Sequence, residues 1–214
     1  MGVVRKAGLI VLGQRRFPRC TDHVLLLSLA CASCQRVQPI NTQSLDTAGM
    51  GYDAVTHLKA MKITEPEVAQ IAKARQAGLS DEGCVQVMQI YQSRKQLFDA
   101  GDAIAGLLGA GSSEDLVIKL ARLNQLGVEA GELEAMRLAG LSDNILLAVA
   151  QHHSAGQAEL SGASLAGLKN LGMGSGTLLQ LAERGVPDSQ AAEIMRMRRH
   201  GAKDAQILKE FAGS

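Results

Sequence analysis

His152 and His153 are the only adjacent histidines in the chain, and a histidine pair is the first place to look for a metal. Neighbouring residues on a helix point about 100° apart. Two ligands on one face need an i, i+4 spacing, so this pair makes no metal site. Cys31 and Cys34 have two residues between them, but no second pair follows to complete a zinc site. Cys84 falls at an apolar position, with nothing beside it to stabilise a thiolate. The stretch Gly172-Met173-Gly174-Ser175-Gly176 lacks the spacing of a nucleophile elbow. Arg196, Arg198, Arg199, His200 and Lys203 form a basic cluster. They are either a solvated helix end or a contact for an anionic partner, such as a lipid headgroup or an acidic protein. No catalytic, cofactor-binding or metal-binding constellation emerges, so the chain reads as a non-enzyme with no cofactor.

The elements that must carry these residues are written in a repeat. Five copies are anchored on Gly78, Gly111, Gly140, Gly172 and Gly201, spaced 33, 29, 32 and 29 residues apart. Seven residues before each anchor stands Ile71, Ile104, Leu133, Leu165 or Ile194, and four before stands Ala74, Leu107, Met136, Leu168 or Met197. These two positions share a helical face. The glycine ends the helix. At minus three, Arg75, Arg137, Lys169 and Arg198 put a cation in the last turn, where the helix dipole favours it; Leu108 is the exception. Ser80, Ser113 and Ser142 stand where a hydroxyl caps the next helix. Asp81, Glu114, Asp143 and Asp204 place an acid in its first turn, with Ser175 as the exception. An apolar pair, such as Leu146–Leu147, opens its buried face. Thr64-Glu65-Pro66-Glu67 reads as a capping box that starts a helix near residue 65.

Gly127, Gly156 and Gly185 read as a second set of helix stops. Helix therefore follows helix about every 15 residues, and no alternating stretch competes for a strand. The expected fold is all-α: about ten short helices in stacked helical hairpins, solenoid-like or an irregular bundle, after a disordered N-terminal segment. Each hairpin is too small to bury its own apolar face and must stack on its neighbours. The repeat domain is expected over 51–214. One unit alone, a helix ending in Gly followed by a capped helix, resembles short C-terminal helical oligomerisation motifs of bacterial membrane-associated proteins.

Composition limits the core and the partners. Hydrophobic residues make up 46% of the 214, but aromatics only 2%, so Leu, Ala, Val, Ile and Met must fill the interior. The formal charge is +1, yet residues 1–30 hold Arg5, Lys6, Arg15, Arg16 and Arg19 against Asp22 alone. The remainder has 17 basic and 20 acidic residues, a net −3. That balance speaks against nucleic acid, whose affinity rests on excess positive charge.

The N-terminal segment carries the locational signal. Arg15, Arg16 and Arg19 precede the apolar run Val24–Ala30, and Cys31-Ala32-Ser33-Cys34 follows. Basic residues, a short apolar run, then small residues and a cysteine resemble a bacterial lipoprotein signal. Ala30 and Cys31 match the last two positions of that family's pattern, while Ser28 and Leu29 stand in reverse of the usual order. The resemblance implies cleavage before Cys31, with Cys34 as the alternative, and lipidation of that cysteine. Residues 1–30 would then be a signal segment and 31–50, polar and without periodicity, a flexible tether. The mature protein would be membrane-anchored in the bacterial cell envelope, facing the periplasm, and would act on another envelope protein. Ala32 resembles the outer-membrane-directed class of Gram-negative lipoproteins. No run reaches the ~18 apolar residues of a membrane span.

A competing reading starts from Leu168-Lys169-Asn170-Leu171-Gly172-Met173-Gly174-Ser175, which resembles the hairpin of helix-hairpin-helix DNA-binding modules. There a Gly-apolar-Gly turn offers backbone N–H groups to a phosphate. That likeness implies a cytoplasmic nucleic-acid-binding or regulatory protein.

Overall fold

The computed structural model describes residues 40–211, apart from 128 and 158. Among them are twelve α-helices and no strand. In chain order they are α1 (Gln43–Thr47), α2 (Tyr52–Ala60), α3 (Glu65–Gln76), α4 (Asp81–Ser93), α5 (Gly101–Gly109), α6 (Glu114–Leu123), α7 (Ala130–Leu138), α8 (Asp143–Ser154), α9 (Gly162–Asn170), α10 (Ser175–Glu183), α11 (Ala191–Arg199) and α12 (Asp204–Phe211). A 3-10 turn at Asp188–Gln190 leads into α11. Odd-numbered helices pack in sequence on one another, and so do even-numbered ones, giving two layers with the core between them. The stacked hairpins expected from the repeat are the fold.

The anchor columns sit where their chemistry puts them. Every residue at minus seven is buried, as are Ala74, Leu107, Met136 and Leu168 at minus four. Gly140 takes φ +78° one residue past the C-cap of α7. There the Leu141 N–H donates to Met136 O at 3.1 Å and the Gly140 N–H to Arg137 O at 2.8 Å. These two bonds close the helix end in a Schellman motif. Ser80 and Ser113 accept from the backbone N–H groups of Gly83 and Leu116, capping α4 and α6. Ser142 holds the N-cap position of α8 without a side-chain cap bond. Glu67 Oε2 accepts from the N–H of Thr64 at 2.7 Å, fixing the start of α3.

Two expectations are corrected. Of the tether expected over 31–50, residues 31–39 lie outside the described residues, and 43–47 form α1, which packs on α3 with Leu45 fully buried. Gly49, at φ +74°, is therefore a sixth anchor, 29 residues before Gly78. Gly127 is not a helix stop: α6 ends at Asn124, which takes the left-handed conformation at φ 62°. Lys62 and Lys95 end α2 and α4 in the same way, so that column reads Lys62, Lys95, Asn124, Gly156 and Gly185. The twelve helices accord with the expected stack of about ten, with α1 and α2 preceding the first repeat pair.

The alternating spacing of the anchors has a structural basis. Arg75 donates to Leu79 O at 3.3 Å and reaches back to Gly49 O at 3.3 Å, while its Nε pairs with Asp81 at 2.7 Å. Asp81 in turn accepts from the Gly51 N–H at 2.8 Å. Arg137 repeats this with Leu141 O, Gly111 O and Asp143, and Asp143 accepts from the Ser113 N–H. Arg198 repeats it with Ala202 O, Gly172 O and Asp204, and Asp204 accepts from the Gly174 N–H. Arg75, Arg137 and Arg198 stand 62 and 61 residues apart. So do Leu45, Leu107 and Leu168; Leu58, Leu120 and Leu181; and Asp81, Asp143 and Asp204. The stack is thus three copies of one four-helix unit: α1–α4, α5–α8 and α9–α12. Within each unit an Arg–Asp clamp ties the second hairpin to the first. Between units the clamp positions hold Leu108 and Glu114, or Lys169 and Ser175.

The clamp arginines are about three-quarters buried, and each donates to carbonyl oxygens on both sides of it while lying in charge contact, without a hydrogen bond, beside its aspartate. Charge-assisted hydrogen bonds of this kind contribute about 1.5–3 kcal/mol. Arg137→Ala is therefore expected to lower stability by about 2 kcal/mol. Lys169→Ala removes a contact to Gly140 O alone and is expected to lower it by about 1 kcal/mol or less. Urea unfolding of the two variants checks the order.

Candidate functional site

The two cysteines that the lipoprotein resemblance singles out, Cys31 and Cys34, lie outside the described residues, as does the segment 1–30. The first described residue, Ile40, lies nine residues past Cys31 and is half-buried against the core, and α1 follows at Gln43. No helix among the described residues is long and apolar enough to cross a membrane.

The structure divides the basic cluster of the last hairpin. Arg198 is drawn inward as the clamp of the third unit and is not available to a partner. Burial raises the pKa of Asp204, but bonds from the Gly174 N–H and the Thr177 hydroxyl, with Arg198 alongside, hold it below the ordinary carboxylate range. Arg196 is exposed and paired in a fork with Glu193 on its own helix, and that bond lowers the Glu193 pKa. Arg199, His200 and Lys203 are exposed. The backbone N–H of Lys203 donates to Gln206 Oε1 at 2.8 Å as α12 begins. Arg196, Arg199 and Lys203 thus stand exposed on the last described hairpin.

The turn at Gly172 is committed as well. The Gly174 N–H, one of the groups a helix-hairpin-helix turn would offer to a phosphate, donates instead to Asp204 Oδ2 at 2.9 Å. The same carboxylate oxygen accepts from Thr177 Oγ1 at 2.8 Å. An acid already occupies the place of an incoming anion, and its charge would repel one.

Cys84 is 2% exposed in α4, and burial pushes its thiol up to about 12. It remains a protonated core residue at physiological pH. His152 and His153 do not share a face, as their spacing requires, yet each is engaged. His152 Nε2 lies 2.9 Å from Glu183 O at the end of α10. His153 Nδ1 lies 2.9 Å from Glu159 Oε1, and its Nε2 lies 3.4 Å from Glu129 Oε1. Sequence reasoning missed this grouping because Glu129 and Glu159 lie in the connections flanking the α7–α8 hairpin, far from His153 in any helical register.

Two open grooves mark the first unit. One of about 490 Å³ runs between α1 and α3, lined by Asn41, Gln43, Ser44, Glu65 and Gln76 among others. The other, of about 410 Å³, runs between α2 and α4 and is lined by Asp53, His57, Asp81, Glu82, Gln86 and Gln89. Polar and amide side chains over a shallow apolar floor suit contact with another protein surface. No family model matches this chain, and neither a curated protein nor a solved structure matches it.

Proposed function

We propose that this chain is a non-enzymatic, lipid-anchored protein of the bacterial cell envelope, facing the periplasm. Its stacked helices present a surface to a protein partner. The observation that carries the reading is the order of residues 15–34: cations, a short apolar run, small residues, then cysteine. The stack adds a mode of action, since stacked helical units build extended binding surfaces rather than closed pockets. Its partner would be another envelope protein. Arg196, Arg199 and Lys203, exposed on the α11–α12 hairpin, are the contact we assign to an acidic surface on it.

Anchorage at Cys31 also sets a distance. Nine residues at no more than about 3.5 Å each hold Ile40 within roughly 30 Å of the bilayer surface. The first unit and its grooves would then work close to the membrane. Cells grown on labelled palmitate test the reading: the chain should carry the label and sediment with membranes. An unlabelled chain in the soluble fraction would overturn it. Cross-linking in intact membranes, followed by purification of the labelled chain, should then yield one envelope protein as the major adduct.

A further inference from the structure

The two junctions between units can be compared residue by residue, since equivalent positions lie 62 apart. At the first junction Tyr91 and Phe98 meet edge-on, ring centroids 5.2 Å apart. Glu67, 5% exposed, accepts from the Phe98 N–H at 3.2 Å. Leu97, in the same linker, is exposed. At the second junction the same four positions hold His153, Leu160, Glu129 and Glu159. Leu160 keeps the buried apolar place of Phe98 and Glu129 the carboxylate of Glu67, but the tyrosine and the exposed leucine give way to an imidazole and a second carboxylate.

The surroundings of His153 are acidic. Glu129 comes from the α6–α7 linker, Glu159 from the α8–α9 linker, and Glu132 from α7. All three line a cavity of about 10 Å³ with His153 and Gln125. Glu132 Oε1 accepts from the Gly162 N–H at 2.7 Å, tying α7 to the start of α9. Glu159 Oε2 and Gln125 Oε1 are buried without a hydrogen-bond partner among the described residues. From α10 the Glu183 carbonyl contacts the neighbouring His152.

An imidazolium donates from both nitrogens and so serves Glu159 and Glu129 together. A neutral imidazole has one donor and presents a lone pair to the other carboxylate. We propose that the second junction is a pH-sensitive latch: protonated His153 bridges Glu129 and Glu159 and holds the α8–α9 linker, and neutral His153 loosens it, while the first junction does not respond. The bond from Glu159 raises the His153 pKa above its ordinary value, and burial opposes the shift only in part. A folded-state pKa above the unfolded one gives a contribution that is complete below the unfolded value, about 6.5, and is lost as pH rises through the folded value. The linker is therefore held below about pH 6.5 and loosened as pH rises through the higher, folded-state value.

Hydrogen–deuterium exchange of the full chain at pH 6 and pH 8, corrected for the intrinsic pH dependence of amide exchange, tests the latch. Protection of the linker 155–161 is expected to fall about threefold or more at the higher pH, and that of the linker 95–100 to stay level. His153→Tyr combined with Glu159→Leu writes the first junction's residues into the second and should abolish the difference. Glu159→Gln alone should shrink it and lower the midpoint of the His153 ring titration followed by NMR. Equal protection of 155–161 at both pH values would overturn the proposal. So would a difference that survives both sets of substitutions.

Discussion

Gly101→Val is expected to destabilise the stack by about 3 kcal/mol or more, the upper end of what overpacking costs. Gly101 is buried at the start of α5, where it crosses α3 at the junction of the first two units. A Cβ there would lie 2.3 Å from the Gln70 carbonyl oxygen and 2.8 Å from its carbon. Both are backbone atoms, so no rotamer change can relieve the clash, and the two helices must separate. The equivalent Gly162 of the third unit meets side chains only, Met136 and Glu132, the latter equivalent to Gln70, so the clash there is softer. For a domain of this size the melting temperature should fall by about 10 °C. Gly109→Ala is the control. Nothing lies within 4 Å of its added Cβ, and alanine at an accommodating helical position stabilises by about 0.5–1 kcal/mol. Equal effects of the two substitutions would show that α3 and α5 do not meet as described.

The second large effect concerns attachment. A single acyl chain binds a membrane only marginally, whereas two or more hold a protein there stably. Cys31→Ser is therefore expected to move the protein from the salt-washed membrane fraction to the soluble one, at least tenfold by immunoblot, and to leave the precursor uncleaved. Loss of attachment with Cys34→Ser but not with Cys31→Ser would place the lipid three residues further on. Attachment indifferent to both would remove the lipoprotein reading and restore the cytoplasmic alternative.

Much of the fold is legible in the sequence because its determinants are local. The glycine stops, the serine caps and the apolar pairs each act within one or two turns of their own helix. Helix α1 escaped because five residues with one buried side chain, Leu45, carry no periodicity. The stops at Lys62 and Lys95 escaped because nothing in a lysine announces a left-handed conformation, which neighbouring helices must enforce there; Asn124, a residue that enters it readily, is overshadowed in sequence by the glycine three residues on. The pairing of repeats into four-helix units is present in the alternating spacings. Its meaning appears only when Arg75 is seen to reach the Gly49 carbonyl. In sequence Arg198 is one more cation in a basic cluster, and the structure assigns it to the same clamp. The His153 grouping was illegible for a different reason: its two carboxylates arrive from linkers on either side of a hairpin.

The most direct test of the lipid-anchored account is the mass of the N-terminal peptide of the protein purified from native membranes. The account predicts a chain that begins at Cys31 and carries a diacylglyceryl group on its sulfur. An unmodified chain beginning at Met1 and recovered from the soluble fraction would contradict it.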